Sequence, residues 1–183
     1  MATEYFGDLN ESYISERALS PYSMVTKNYS CTKNGPLVNL SCWCKSNGGT
    51  PGHLRMALYA SDGAFICQGS GEITVSATSF AWANATHTEF VDSVGSSCSP
   101  TLSSGTEYKI AWSSDSTDVY FAYSSGSNGD TNYKDADYTS GFPSPIGSGW
   151  SPYTQLYAVR FGVGDTSGLS IPVAQAIYRR RRI

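Results

Sequence analysis

The sequence predicts an all-β chain, an antiparallel two-sheet sandwich of jelly-roll type with an arm at each end, and three observations predict it. Charged residues make up 15% of the 183 positions, against roughly 25% in an average soluble domain. Ser, Thr, Gly, Asn and Tyr take their place, and all but Tyr are poor material for helix interiors. Apolar residues alternate with polar ones from about Tyr22 onward, the period of a half-buried strand. Turn-forming clusters separate these runs about every 8–12 residues, as sandwiches require.

Each strand can be read in order. Val38, Leu40, Cys42 and Cys44 alternate with Asn39, Ser41 and Trp43. Beyond the turn signal at residues 47–52, Leu54, Met56 and Leu58 alternate with Arg55, Ala57 and Tyr59. Asp62-Gly63 then precedes Ala64-Phe65-Ile66-Cys67, and an Asp-Gly pair between alternating runs is a strong hairpin signal. Ile73, Val75 and Ala77 follow, and a strand over residues 80–90 is expected to turn Trp82 inward. Tyr108, Ile110 and Trp112 share one face, as do Val119, Phe121 and Tyr123. A long polar loop runs from Ser124 to Ser151, and the last strong strand places Tyr157, Val159, Phe161 and Val163 inward with Arg160 outward.

This pattern gives one domain over residues 21–164, with an N-terminal arm over 1–20 and a C-terminal arm over 165–183. Net charge is −3, but Arg179, Arg180, Arg181 and Arg182 are four of the 12 basic residues. Without them 8 basic residues face 15 acidic ones, so the body carries −7. The apolar Ile177 and Tyr178 before the arginines suit docking on an acidic neighbouring surface, with the planar guanidinium forks holding register. Nucleic acid is disfavoured as a partner, because the acidic body repels a phosphate backbone. No apolar run approaches a membrane span. The first residues carry neither a basic start nor an apolar h-region, and synthesis in a cytoplasm is the expectation.

Five cysteines, Cys31, Cys42, Cys44, Cys67 and Cys98, leave at least one thiol outside any internal pairing. Cys42 and Cys44 point to one face of their strand. Buried free thiols are one reading, and a disulfide within or between chains is the other. Zinc ligation lacks the paired spacing it needs.

The chemistry-bearing residues are sparse. His53 and His87 are the two histidines, each read as exposed or satisfied. No metalloprotease helix, nucleophile elbow or phosphate loop occurs, and Glu72, Glu89 and Glu107 carry no local catalytic signature. No cofactor is expected. Asp130, Asn132, Asp135 and Asp137 concentrate oxygen ligands of the kind calcium takes, although their spacing is not that of an EF-hand and Lys134 interrupts them. The same loop holds Tyr133, Tyr138, Phe142, Trp150 and Tyr153, aromatics suited to stacking on a sugar ring, anchoring a partner or capping the core. The sequons at Asn10, Asn28, Asn39 and Asn84 are what chance gives in a chain so rich in Ser and Thr.

The stretch from Leu54 to about Ile146 carries an alternating strand ending in Leu58-Tyr59, then Asp62-Gly63, then Leu102 with Gly105-Thr106-Glu107-Tyr108, and later Phe142-Pro143. It resembles jelly-roll modules in virion proteins of tailed bacteriophages and in bacterial surface or carbohydrate-binding proteins. The resemblance covers about half the chain, rests on structural positions and carries no catalytic residue. It implies a non-enzymatic virion component, decorating a capsid or belonging to a tail, collar or fibre. Its partners would be other virion proteins and copies of itself. The alternative is a carbohydrate-binding or adhesin module that reads a host surface glycan through the Tyr133–Tyr153 loop.

Overall fold

Alternation along each strand sets its two faces, and long-range pairing then decides which face is covered. The computed structural model describes residues 2–20, 22–47, 51–86, 90–135 and 141–165. Among the described residues there are eighteen strands, numbered here in chain order, and no helix. The first sheet runs β1 (Glu4–Gly7), β18 (Val159–Val163), β5 (Gly35–Ser46), β14 (Val119–Ser125) and β17 (Gln155–Tyr157). In the same sheet β9 (Ala81–Thr86) and β12 (Thr101–Leu102) pair with β5, and β2 (Ser15–Ala18) pairs with β14. The second sheet begins β11 (Ser97–Cys98), β10 (Phe90–Val91), β7 (Phe65–Gly69) and β6 (Gly52–Ala60). It continues through β13 (Glu107–Ser114), β3 (Tyr22–Thr26), β15 (Thr131–Asp135) and β16 (Ser151–Tyr153), with β4 (Tyr29–Ser30) beside β13 and β8 (Ile73–Val75) beside β6. The two antiparallel sheets pack face to face as a β-sandwich.

The interior is the set of inward positions that the alternation marks. Leu40, Cys42 and Cys44 of β5 meet Leu54, Met56 and Leu58 of β6, Ile110 and Trp112 of β13, and Phe121, Tyr157, Val159 and Phe161. Trp112 is fully buried, with ring centroids of Tyr157 at 5.5 Å and Phe121 at 6.3 Å. Each such large side chain contributes about 1.5–3 kcal/mol by leaving water. The hairpin between β6 and β7 turns at Ser61-Asp62-Gly63, where the Asp62 carboxylate accepts the Ala64 N–H at 2.9 Å. Gly63 has φ +90°, the left-handed position of a three-residue hairpin loop.

Several expectations are corrected. Residues 1–20 are not an arm throughout: β1 and β2 lie within the first sheet, and Phe6 belongs to the main core, 5.5 Å from the Phe161 ring. The inward register of β5 shifts at its start, where an irregularity between Gly162 and Val163 places Leu37 inside and leaves Val38 half-exposed. The Ser124–Ser151 segment is not a continuous loop, because β15 pairs along β3 and with β16. Trp82 faces outward. Ala83 and Ala85 take the inward side of β9, and the larger Trp82 packs beside Trp43 on the outer face.

The second sheet is covered on both faces. On its outer side Val25, Ala57, Tyr59 and Ala111 form a small apolar cluster, with Phe65, Phe142, Ile146 and Trp150 packed against it. The chain over residues 142–150 thus crosses the back of β6 and β13, pinned where the Ile146 N–H donates to the Gly63 carbonyl at 2.9 Å. Tyr59 is therefore fully buried, although its parity sets it opposite Met56 and Leu58.

Candidate functional site

The five loop aromatics do not form one site. Phe142 and Trp150 belong to the cover on the second sheet. Tyr133 lies on β15 and Tyr153 on β16, where their rings meet edge to face at 5.6 Å. Tyr138 lies outside the described residues.

Tyr133 and Tyr153 share a concavity of about 100 Å³ with Arg17, Leu19, Tyr22 and Met24. It sits at the open edge of the sandwich, where β2 of the first sheet approaches β3, β15 and β16 of the second. Strand pairing fixes the walls: Tyr133 is opposite Met24 on β3, and Tyr22 opposite Asp135. Leu19 and Met24 are buried and form an apolar floor. Tyr22 meets the Tyr133 ring edge-on at 5.5 Å, and Arg17 covers the Tyr153 ring with its guanidinium 5.4 Å from the centroid. An Arg17 N–H also donates to the Tyr153 hydroxyl. The result is an apolar floor, aromatic walls and a cationic, hydroxyl-bearing rim. Such a site suits a ligand with one apolar face and several hydroxyls. Sequence reading found Tyr133 and Tyr153 but missed Arg17, Leu19, Tyr22 and Met24, which enter only through the pairing of β2 with β14 and of β3 with β15.

The calcium-type residues are spread out. Asp130 is engaged within the protein: Lys27 Nζ lies 2.9 Å from Oδ1, and the Ser127 N–H donates to Oδ2 at 2.6 Å. Those two contacts, the Ser127 amide first, hold its carboxyl below the usual range. Asn132 and Asp135 are separated by an odd interval on β15 and so occupy opposite faces. Asp137 lies outside the described residues. Among the described residues no group of three or more His, Cys, Asp or Glu is placed to hold a metal ion.

All five cysteines are free thiols, with Cys31, Cys42, Cys44 and Cys67 buried and Cys98 partly exposed. Cys42 and Cys44 share the inward face, and the Cys42 sulfur lies 3.8 Å from that of Met56. Their surroundings raise the thiol pKa through desolvation, up to about 12 at Cys44. His53 is satisfied, its Nδ1 lying 2.9 Å from an Asp115 carboxylate oxygen. Glu72 faces Arg55 at 3.1 Å, and Glu107 accepts from the Asn28 amide at 2.9 Å. His87, Glu89 and the arm residues Ile177, Tyr178, Arg179, Arg180, Arg181 and Arg182 lie outside the described residues.

No protein-family model matches the chain, and no curated protein matches it.

Proposed function

We propose that this protein is a non-enzymatic recognition module that binds a sugar ring of a surface glycan in the Tyr22–Tyr133–Tyr153 concavity. The observation that carries the reading is the combination of edge-to-face tyrosines over an apolar floor with Arg17 at the rim. A pyranose presents C–H groups on one face and hydroxyls around its edge. The ring walls take the former, while Arg17 and the tyrosine hydroxyls bond the latter. The test is titration of the intact protein against surface polysaccharide fragments, begun from a glycan array. Saturable binding that falls at least tenfold in Tyr133→Ala and Tyr153→Ala, with folding retained, supports the site. Absence of binding across the array, or binding unchanged in both variants, overturns it.

A second reading is assembly: a jelly-roll component of a tailed-phage particle that docks on copies of itself and other virion proteins. Three large apolar side chains favour it by standing in solvent, Ile14 at 96%, Val94 at 81% and Leu9 at 47% exposure. Burying such residues on a neighbour is the ordinary source of association energy. In this reading the C-terminal Ile177–Arg182 segment supplies a further contact. Deleting residues 171–183 should leave the sandwich folded while abolishing incorporation into particles. Unimpaired incorporation would count against it.

A further inference from the structure

The outer face of the first sheet holds a guanidinium that makes no ion pair among the described residues. β18 places Arg160 between Gly7 of β1 and Ser41 of β5. Its guanidinium carbon lies 4.0 Å from the Tyr5 ring centroid and 3.7 Å from that of Trp82. Gly7 permits this close approach of β1, since a Cβ there would come within 2.9 Å of the Arg160 Cα. Two aromatic rings thus lie against the guanidinium, whose hydrogen-bonding capacity is in its own plane. Among the described residues no carboxylate lies within ion-pair distance of it, and Nε is buried with no partner. The nearby acid is Glu11, and its carboxylate accepts the Trp82 indole N–H at 2.5 Å. Burial lowers the Arg160 pKa, while Tyr5 and Glu11 oppose that shift. The charge is partly desolvated, with Glu11 nearby but in no ion pair with it.

The surroundings narrow the ligand. Trp43 stands beside Trp82 with ring centroids 5.4 Å apart, which extends the aromatic surface away from the cation. Between them and β1 lie short polar side chains. Asn39 donates to the Tyr5 hydroxyl at 3.2 Å while its own Oδ1 is buried without a partner, and Ser41 donates to Asn84 at 2.7 Å. A bare inorganic anion would meet the fork and leave the indoles idle, and a neutral sugar would use the indoles and leave the fork unpaired. An acidic sugar uses both. Arginine's planar donors match a carboxylate in bidentate fashion, and an indole takes the C–H face of a pyranose.

We infer that Arg160, Trp43 and Trp82 form a second recognition site, for an acidic sugar, on the outer face of the first sheet. The site is separate from the Tyr133–Tyr153 concavity and does not rest on it. Calorimetric titration of the full chain with oligogalacturonate, its methyl-esterified form, polysialic acid and inorganic phosphate tests it. At least one acidic saccharide should bind. The esterified oligogalacturonate, which keeps the ring and loses the charge, should bind at least tenfold more weakly than any acidic form that binds.

Arg160→Lys keeps charge and loses the fork, and should weaken the acidic form by tenfold or more. Trp43→Ala, at a half-exposed position, should weaken it comparably and guards against misfolding of the arginine variant. Glu11→Gln removes the neighbouring negative charge and should tighten the acidic form alone. The loss on Arg160→Lys should persist in a Tyr133→Ala background, which separates this site from the concavity. Binding to neither acidic saccharide overturns the inference. So does equal affinity for ester and acid, or phosphate binding as tight as the saccharide.

Discussion

The Tyr59 hydroxyl donates a 2.6 Å hydrogen bond to the carbonyl of Pro143, 84 residues further along the chain. This contact ties the covering segment to the centre of the second sheet, and the apolar cluster of Val25, Ala57 and Ala111 lies around it. Tyr59→Phe keeps the ring and removes the bond, and should cost about 1 kcal/mol in urea unfolding. Trp150→Ala removes packing as well and should cost about 2 kcal/mol or more, given what large-to-small changes do at covered sites. A Trp150→Ala protein as stable as the parent would show that the segment rests on the sheet without stabilising it.

Gly63 occupies a backbone conformation that side chains resist, and a Cβ there would also meet the Ile146 Cβ at 3.4 Å. Gly63→Val should destabilise by about 1 kcal/mol or more, because a β-branched residue disfavours positive φ. The loss should appear as a lower denaturation midpoint with an unchanged slope. A midpoint equal to the parent's would mean that the loop readily adopts another turn.

Thiol exposure makes a separate forecast. Cys98 is the partly exposed thiol, and the other four are buried. Timed alkylation of the native protein should label Cys98 first, with the remaining four labelled only on unfolding, and Cys98→Ser should abolish the fast phase. Any disulfide between chains should pass through Cys98 alone. Rapid native labelling at Cys42 or Cys44 would contradict the burial of β5.

High pH should unfold the protein. Burial pushes the Cys44 thiol up to about 12 from 9.0 and raises those of Cys42 and Cys67. The same desolvation raises the Tyr29, Tyr59 and Tyr157 phenols above 10.0. In the unfolded chain these groups release protons near their ordinary values, while the folded chain still holds them. Stability is therefore fully present below about pH 9 and lost as pH rises toward about 12. Urea midpoints measured across that range should fall steadily. A flat profile would show that these groups ionise without unfolding.

How much the sequence reveals depends on whether a side chain's fate is decided locally. Leu54, Met56 and Leu58, or Tyr108, Ile110 and Trp112, face the core as their period of two predicts, because one face of each run is plainly the more apolar. Trp82 defeats that logic, since its large ring marks the face it shares with Asn84, while the small Ala83 and Ala85 fill the inward side opposite Cys42 and Leu40. Ser15-Glu16-Arg17-Ala18 shows no alternation at all, for β2 holds its place by backbone pairing with β14 at the sheet edge. The split of the loop aromatics was hidden for a similar reason. Tyr133 and Tyr153 face the concavity because β15 and β16 join the sheet, whereas Phe142 and Trp150 cover its back because the chain between those strands crosses β6. Both depend on contacts distant in sequence.

The pairing of β1 with β18 sets how the fold bears load. Glu4 lies opposite Val163 and Gly7 opposite Arg160, and just outside that pair the Ala2 N–H donates to the Asp165 carboxylate at 2.9 Å. Residues 2 and 165 therefore emerge at the same end of one antiparallel pair. Tension applied through both pulls across the rungs of the ladder, so that each backbone hydrogen bond is stressed in turn, from Glu4 inward, and never all together. Anchored at both ends, the sandwich would peel open at β1 like a zip. Held instead at residue 165 and at the far end of β1, the same strands would be loaded in shear and resist as a unit.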